Sequence, residues 1–143
     1  MGNHKIIFKN KESIITTYDD KYGAVHNGEV ILFNIYDFLI YYPLVELYLG
    51  ILNNNGQDEY ILYDKKGLLM GKYNYAYGYN ENGECVVVNS NNEWNIIDRK
   101  CNLLNDKWET EFYFHNNFRS VDKEYYTSVK NLFKDVYFNV NII

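Results

Sequence analysis

A chain of 143 residues with 47% hydrophobic and 23% charged side chains has the size and balance of one globular domain, residues 1–143, that folds without a covalent staple. Its net charge of −5 argues against a nucleic-acid surface, which needs clustered Lys and Arg. Two cysteines, Cys85 and Cys101, and no secretory or membrane-length apolar stretch predict a cytoplasmic protein with reduced thiols and no membrane contact.

In chain order, Ile14-Ile15-Thr16-Thr17-Tyr18 has the β-branched and aromatic content of a strand. Lys21-Tyr22-Gly23-Ala24-Val25 follows, turns at His26-Asn27-Gly28-Glu29, and returns through Val30-Ile31-Leu32 to Tyr36-Asp37. The longest apolar run, Phe38 to Tyr42, stops at Pro43. Asn53-Asn54-Asn55-Gly56 is the next turn, before Glu59-Tyr60-Ile61-Leu62-Tyr63-Asp64, the turn Lys65-Lys66-Gly67 and the return Leu68-Leu69. Glu81-Asn82-Gly83-Glu84 precedes the strand Cys85-Val86-Val87-Val88, and Ser90-Asn91-Asn92 precedes Glu93-Trp94-Asn95-Ile96-Ile97-Asp98. Asn and Gly tolerate the positive φ of tight hairpins, so five such turns between short apolar runs describe an antiparallel meander. Beyond residue 122, Tyr125, Tyr126, Val129, Leu132, Phe133 and Val136 recur at helical spacing, and Val136, Phe138, Val140 and Ile142 alternate. They predict a cap over residues 122–143: one C-terminal helix and a closing strand, with a fourth degenerate hairpin as the alternative. The expected fold is mostly β, a meander of tandem β-hairpin repeats forming a small sheet or open barrel.

The aromatic residues Tyr22, Tyr60 and Trp94 recur at intervals of about 35 residues, within the range of repeat architectures. Asp64 aligns with Asp98, Lys65-Lys66 with Arg99-Lys100, Leu68-Leu69 with Leu103-Leu104, and Lys72-Tyr73 with Lys107-Trp108. Lys21-Tyr22-Gly23-Ala24-Val25, Asn27-Gly28, Val30-Ile31-Leu32 and Tyr36-Asp37 resemble the unit of the WG-repeat family, with Tyr for Trp; the second and third copies replace its Gly by Ile61 and Asn95. The resemblance covers residues 14–121. It implies about three tandem hairpin units and carries no shared catalytic residue or common activity.

Chemistry-bearing residues do not group. His4, His26 and His115 have no nucleophile or carboxylate beside them in a recognisable arrangement, and His26 falls in a turn where an exposed histidine is expected. Cys85, Cys101 and His115 lack the close spacing that preorganises metal ligands. Gly67-Leu68-Leu69-Met70-Gly71-Lys72 is too short for a phosphate loop. Glu109 and Glu111 share one strand face at best, which does not oppose two carboxylates across a glycoside. No enzyme activity, cofactor or metal is predicted.

Two aromatic stretches remain. As a continuous strand, Tyr73-Asn74-Tyr75-Ala76-Tyr77-Gly78-Tyr79 puts Tyr73, Tyr75, Tyr77 and Tyr79 on one face. Four phenols on one buried face would each need a partner, so some are expected at the surface. Trp108, Phe112, Tyr113, Phe114 and Phe118 form a second cluster, with Asn116, Asn117 and Arg119 as a polar rim. Tyr and Trp are enriched at interfaces. The predicted partner-binding residues are therefore Tyr73, Tyr75, Tyr77, Tyr79, Trp108, Tyr113, Asn116, Asn117 and Arg119. The expected function is non-enzymatic binding of another protein by a small inhibitor, such as a phage-encoded anti-defence or anti-CRISPR protein. A toxin-immunity protein is the second expectation. A small hydrolase or carbohydrate binder using the tyrosine face is the alternative of a different class.

Overall fold

The computed structural model describes residues 4–110; the predicted helix and closing strand of residues 122–143 lie outside them. Among the described residues, twelve strands form three four-stranded antiparallel sheets, each a meander of consecutive strands. The first sheet holds β1 (Lys5–Lys9), β2 (Ser13–Tyr18), β3 (Lys21–His26) and β4 (Glu29–Tyr36). The second holds β5 (Phe38–Tyr42), β6 (Leu47–Asn54), β7 (Gln57–Asp64) and β8 (Leu69–Tyr73). The third holds β9 (Tyr75–Tyr79), β10 (Cys85–Val88), β11 (Glu93–Ile97) and β12 (Glu109–Thr110). The hairpin meander agrees with the sequence reading, and all five predicted turns lie between strands. The small sheet or open barrel gives way to three sheets packed face to face.

The repeat has a structural counterpart. Tyr22, Tyr60 and Trp94 occupy the third strand of their sheets and pair with Tyr36, Tyr73 and Glu109 on the fourth. A single residue then carries the chain from one sheet to the next. Asp37 N–H donates to the Ile51 carbonyl at 2.8 Å, and Asn74 N–H to the Val88 carbonyl at 2.9 Å. Asp37 is also tied down by its carboxylate, which accepts from Lys21 Nζ at 2.5 Å and from Asn53 N–H at 2.6 Å.

Two cores hold the stack. Ile15, Ala24, Leu32 and Tyr36 of the first sheet pack with Leu39, Tyr41 and Tyr48 of the second. Phe38, Ile40, Tyr42, Leu47, Leu49, Tyr60 and Leu62 of the second pack with Ala76, Tyr79, Cys85, Val87 and Ile97 of the third. The middle sheet is thus covered on both faces, which is why the Phe38 to Tyr42 run is apolar without alternation and buried throughout. Burying such a side chain contributes about 1.5–3 kcal/mol against leaving it in water.

One turn design recurs four times. Asp64, Asn80, Asn89 and Asp98 each accept, on the side-chain oxygen, the N–H groups two and four residues ahead. Each backbone carbonyl also accepts the N–H three residues ahead. That third residue takes positive φ as Gly67, Gly83, Asn92 or Cys101. Cys101, aligned with Gly67 in the sequence, therefore does the same conformational work despite its Cβ.

Candidate functional site

The tyrosine ladder is not one face. Tyr73 ends β8 in the second sheet, and the chain crosses to the third at Asn74 before Tyr75 begins β9. A second interruption lies at Gly78. Cys85 pairs with Tyr79 and Val87 with Ala76, so Tyr77 and Gly78 together face Val86 alone. This β-bulge, with Gly78 at φ 91°, turns the following side chain to the opposite face. Tyr79 consequently lies in the core beside Cys85, its hydroxyl donating to the Asp98 carbonyl at 2.8 Å. Tyr75 and Tyr77 remain together on the other side, ring centroids 4.6 Å apart, with Tyr77 stacked on Trp94 at 5.1 Å and Tyr75 beside Tyr60 at 4.6 Å. Trp108 is half-buried against the core between the second and third sheets. Of the predicted binding residues, only Tyr75 and Tyr77 share a face as expected. Tyr113, Asn116, Asn117 and Arg119 lie outside the described residues.

The largest exposed apolar side chains are elsewhere. Strand β4 forms one edge of the first sheet and presents Val30, Phe33 and Ile35 to solvent, Phe33 with 76% of its surface exposed. The cause is an irregular register. Tyr22 pairs with Tyr36 and Ala24 with Leu32, so Gly23 alone faces Phe33, Asn34 and Ile35. The Asn34 amide folds inward over Gly23 and donates to the carbonyls of Thr16 and Lys21, each at 3.1 Å. Phe33 and Ile35, on either side of this anchor, are turned out.

The second sheet contributes to the same region. Gly67, in the β7–β8 turn, abuts Ile31 of β4 so closely that a methyl there would lie 2.5 Å from the Ile31 carbonyl oxygen. One residue further along, Leu68 and then Leu69 are exposed, Leu69 by 62%, followed by Met70. Exposed Val30 and exposed Leu68 are thus the chain neighbours of the two residues in the Gly67–Ile31 contact. The sequence reading gave Val30-Ile31-Leu32 and Leu68-Leu69 as apolar return strands and did not single out their exposed members. The available signal was the unbroken run Val30-Ile31-Leu32-Phe33, since a strand covered on one face should alternate.

His26 is the other departure from expectation. It ends β3 at 5% exposure instead of standing in an open turn. Its Nδ1 lies 3.0 Å from the Tyr48 hydroxyl, which is hydrogen-bonded in turn to Ser13 Oγ. Burial pushes the Tyr48 phenol up to about 12. Nε2 has no hydrogen-bond partner among the described residues and stands 3.8 Å from a Glu12 carboxylate oxygen. Next to His26, between the β3–β4 and β7–β8 turns, is a cavity of about 380 Å³ lined also by Asn27, Glu29, Ile31, Lys65 and Lys66.

Among the described residues no three His, Cys, Asp or Glu side chains group to hold a metal ion, and no helix is long and apolar enough to cross a membrane. Comparisons with protein-family models, with curated proteins and with solved structures find no match.

Proposed function

We propose that this chain is a divergent WG-repeat protein that acts as a non-enzymatic protein-binding module, a small inhibitor that occupies a surface of its partner. The observation that carries the reading is the exposed apolar edge of β4, with Val30, Phe33 and Ile35 beside Leu68 and Leu69. Edge strands commonly carry Lys, Pro or short length to prevent association; here the edge is eight residues long and apolar. Contiguous exposed apolar surface marks an interaction site more often than chance scatter does. Placement of Tyr22, Tyr60 and Trp94 on equivalent strands supports the repeat assignment. The carbohydrate reading loses weight, because Tyr73 and Tyr79 leave the face it required.

The test is affinity capture from bacterial lysate with the tagged full chain and with its Phe33→Asp/Leu69→Asp variant. The wild type retains one protein in stoichiometric amount, and the variant, with an unchanged circular dichroism spectrum, does not. Equal retention by both, or none by either, overturns the reading.

A further inference from the structure

We propose that the outer face of the third sheet is the docking site of this chain's own next segment, residues 111–121, with Phe112 and Phe114 as the groups that enter it. That face carries Tyr75, Tyr77, Val86, Val88, Trp94 and Ile96. Val86 is fully buried and Trp94 only 6% exposed, yet every member of the cluster belongs to the third sheet itself. A sheet does not cover its own outward side chains, so this burial calls for an occupant from outside the described residues.

The repeat specifies which segment. In the second sheet Phe38, Ile40, Tyr60 and Leu62 face the third sheet. Tyr75, Tyr77, Trp94 and Ile96 stand at the same places on the first and third strands of the third sheet. The outer face is thus the counterpart of a face that the following unit fills. That unit arrives by a fixed route. A fourth-strand residue pairs with the repeat aromatic, one residue links, and the side chain two positions after the link enters the preceding sheet: Leu39 after Asp37, and Ala76 after Asn74. Tyr41, four positions after Asp37, enters as well. Glu109 pairs with Trp94, which puts Thr110 at the link and Phe112 and Phe114 two and four positions beyond it. Strand β12 is an edge of the same sheet, so the chain leaves the sheet beside the face it is to cover.

Acrylamide quenching tests this on the full chain carrying Trp108→Phe, which leaves Trp94 as the single tryptophan. Trp94 is quenched several-fold more slowly than in the urea-unfolded protein, and equally so at low and high protein concentration. Phe112→Asp and Phe114→Asp, each with an unchanged circular dichroism spectrum, raise the native quenching several-fold, and Tyr113→Asp does not. Hydroxyl-radical footprinting of the wild type decides the matter if an aspartate variant does not fold: Phe112 and Phe114 are protected and Tyr113 is modified. Open quenching of Trp94 in the monomer would mean that the face awaits a partner protein, and protection only at high concentration would mean that a second copy covers it. Either result overturns the proposal, as does protection that both aspartates leave intact or equal modification of the three rings.

Discussion

The Asn34 side chain lies across Gly23: a methyl at Gly23 would meet Asn34 Cγ at 2.9 Å and the Leu32 carbonyl oxygen at 2.8 Å. The glycine of the Lys-Tyr-Gly motif is thus the floor on which β4 is pinned, and that pin turns Phe33 and Ile35 outward. Gly23→Ala is expected to destabilise the protein by about 1–3 kcal/mol through overpacking. Adding Asn34→Ala recovers only part of the loss, because the Leu32 carbonyl remains. Urea unfolding of the two single variants and the double variant measures this coupling.

Tyr79 and Phe33 make opposite demands on the fold. Tyr79→Ala empties a fully buried position and is expected to cost about 3–5 kcal/mol. Phe33→Asp touches an exposed side chain and stays within about 0.5 kcal/mol of wild type. Denaturant midpoints at a constant m-value separate the two.

Acid sensitivity centres on turn and linker carboxylates. Hydrogen bonds from the Asn102 and Lys100 N–H groups hold the Asp98 carboxyl below its ordinary value, and the Lys21 and Asn53 donors do the same for Asp37. A depressed folded-state pKa contributes stability that is complete above the unfolded value and is lost as pH falls through the folded one. The loss is expected below about pH 4, where an unperturbed aspartate titrates. Asp98→Asn keeps the turn, as Asn80 and Asn89 do in equivalent turns, and removes its share of the acid-dependent loss. Thermal melts of both proteins between neutral and acidic pH show whether their difference narrows on acidification.

Thiol chemistry should discriminate the two cysteines. Burial pushes the Cys85 thiol up to about 12 and also raises that of Cys101, which remains partly exposed. The thiolate is the reactive form, so alkylation near pH 8 is expected to be slow at both, to reach Cys101 first, and to reach Cys85 only through unfolding. Peptide mapping after iodoacetamide, with and without denaturant, follows the order. Modification of native Cys85 as fast as Cys101 would contradict the packing.

Strands and turns were legible because their signals are local. Asn-Gly pairs and alternating apolar runs need no knowledge of the rest of the chain, and the alignment of Cys101 with Gly67 follows from the repeat alone. The sites were not legible because they depend on irregularities of pairing. One extra residue at Gly78 moves Tyr79 across the sheet, and the passage at Asn74 places Tyr73 in another sheet. Periodicity arguments assume an unbroken strand and cannot register either event. The burial of His26 is a tertiary effect, produced by Tyr48 arriving from a neighbouring sheet.

In the four recurrent turns the geometry is imposed by a single side-chain oxygen, which gathers the N–H groups two and four residues ahead. The position that swings to positive φ then accepts Gly, Asn or Cys alike. A chain built this way carries the plan of each bend in one acceptor atom. Its units can diverge at nearly every other letter of the turn while the polypeptide follows the same path, so kinship between units is kept in hydrogen bonding after it has faded from spelling.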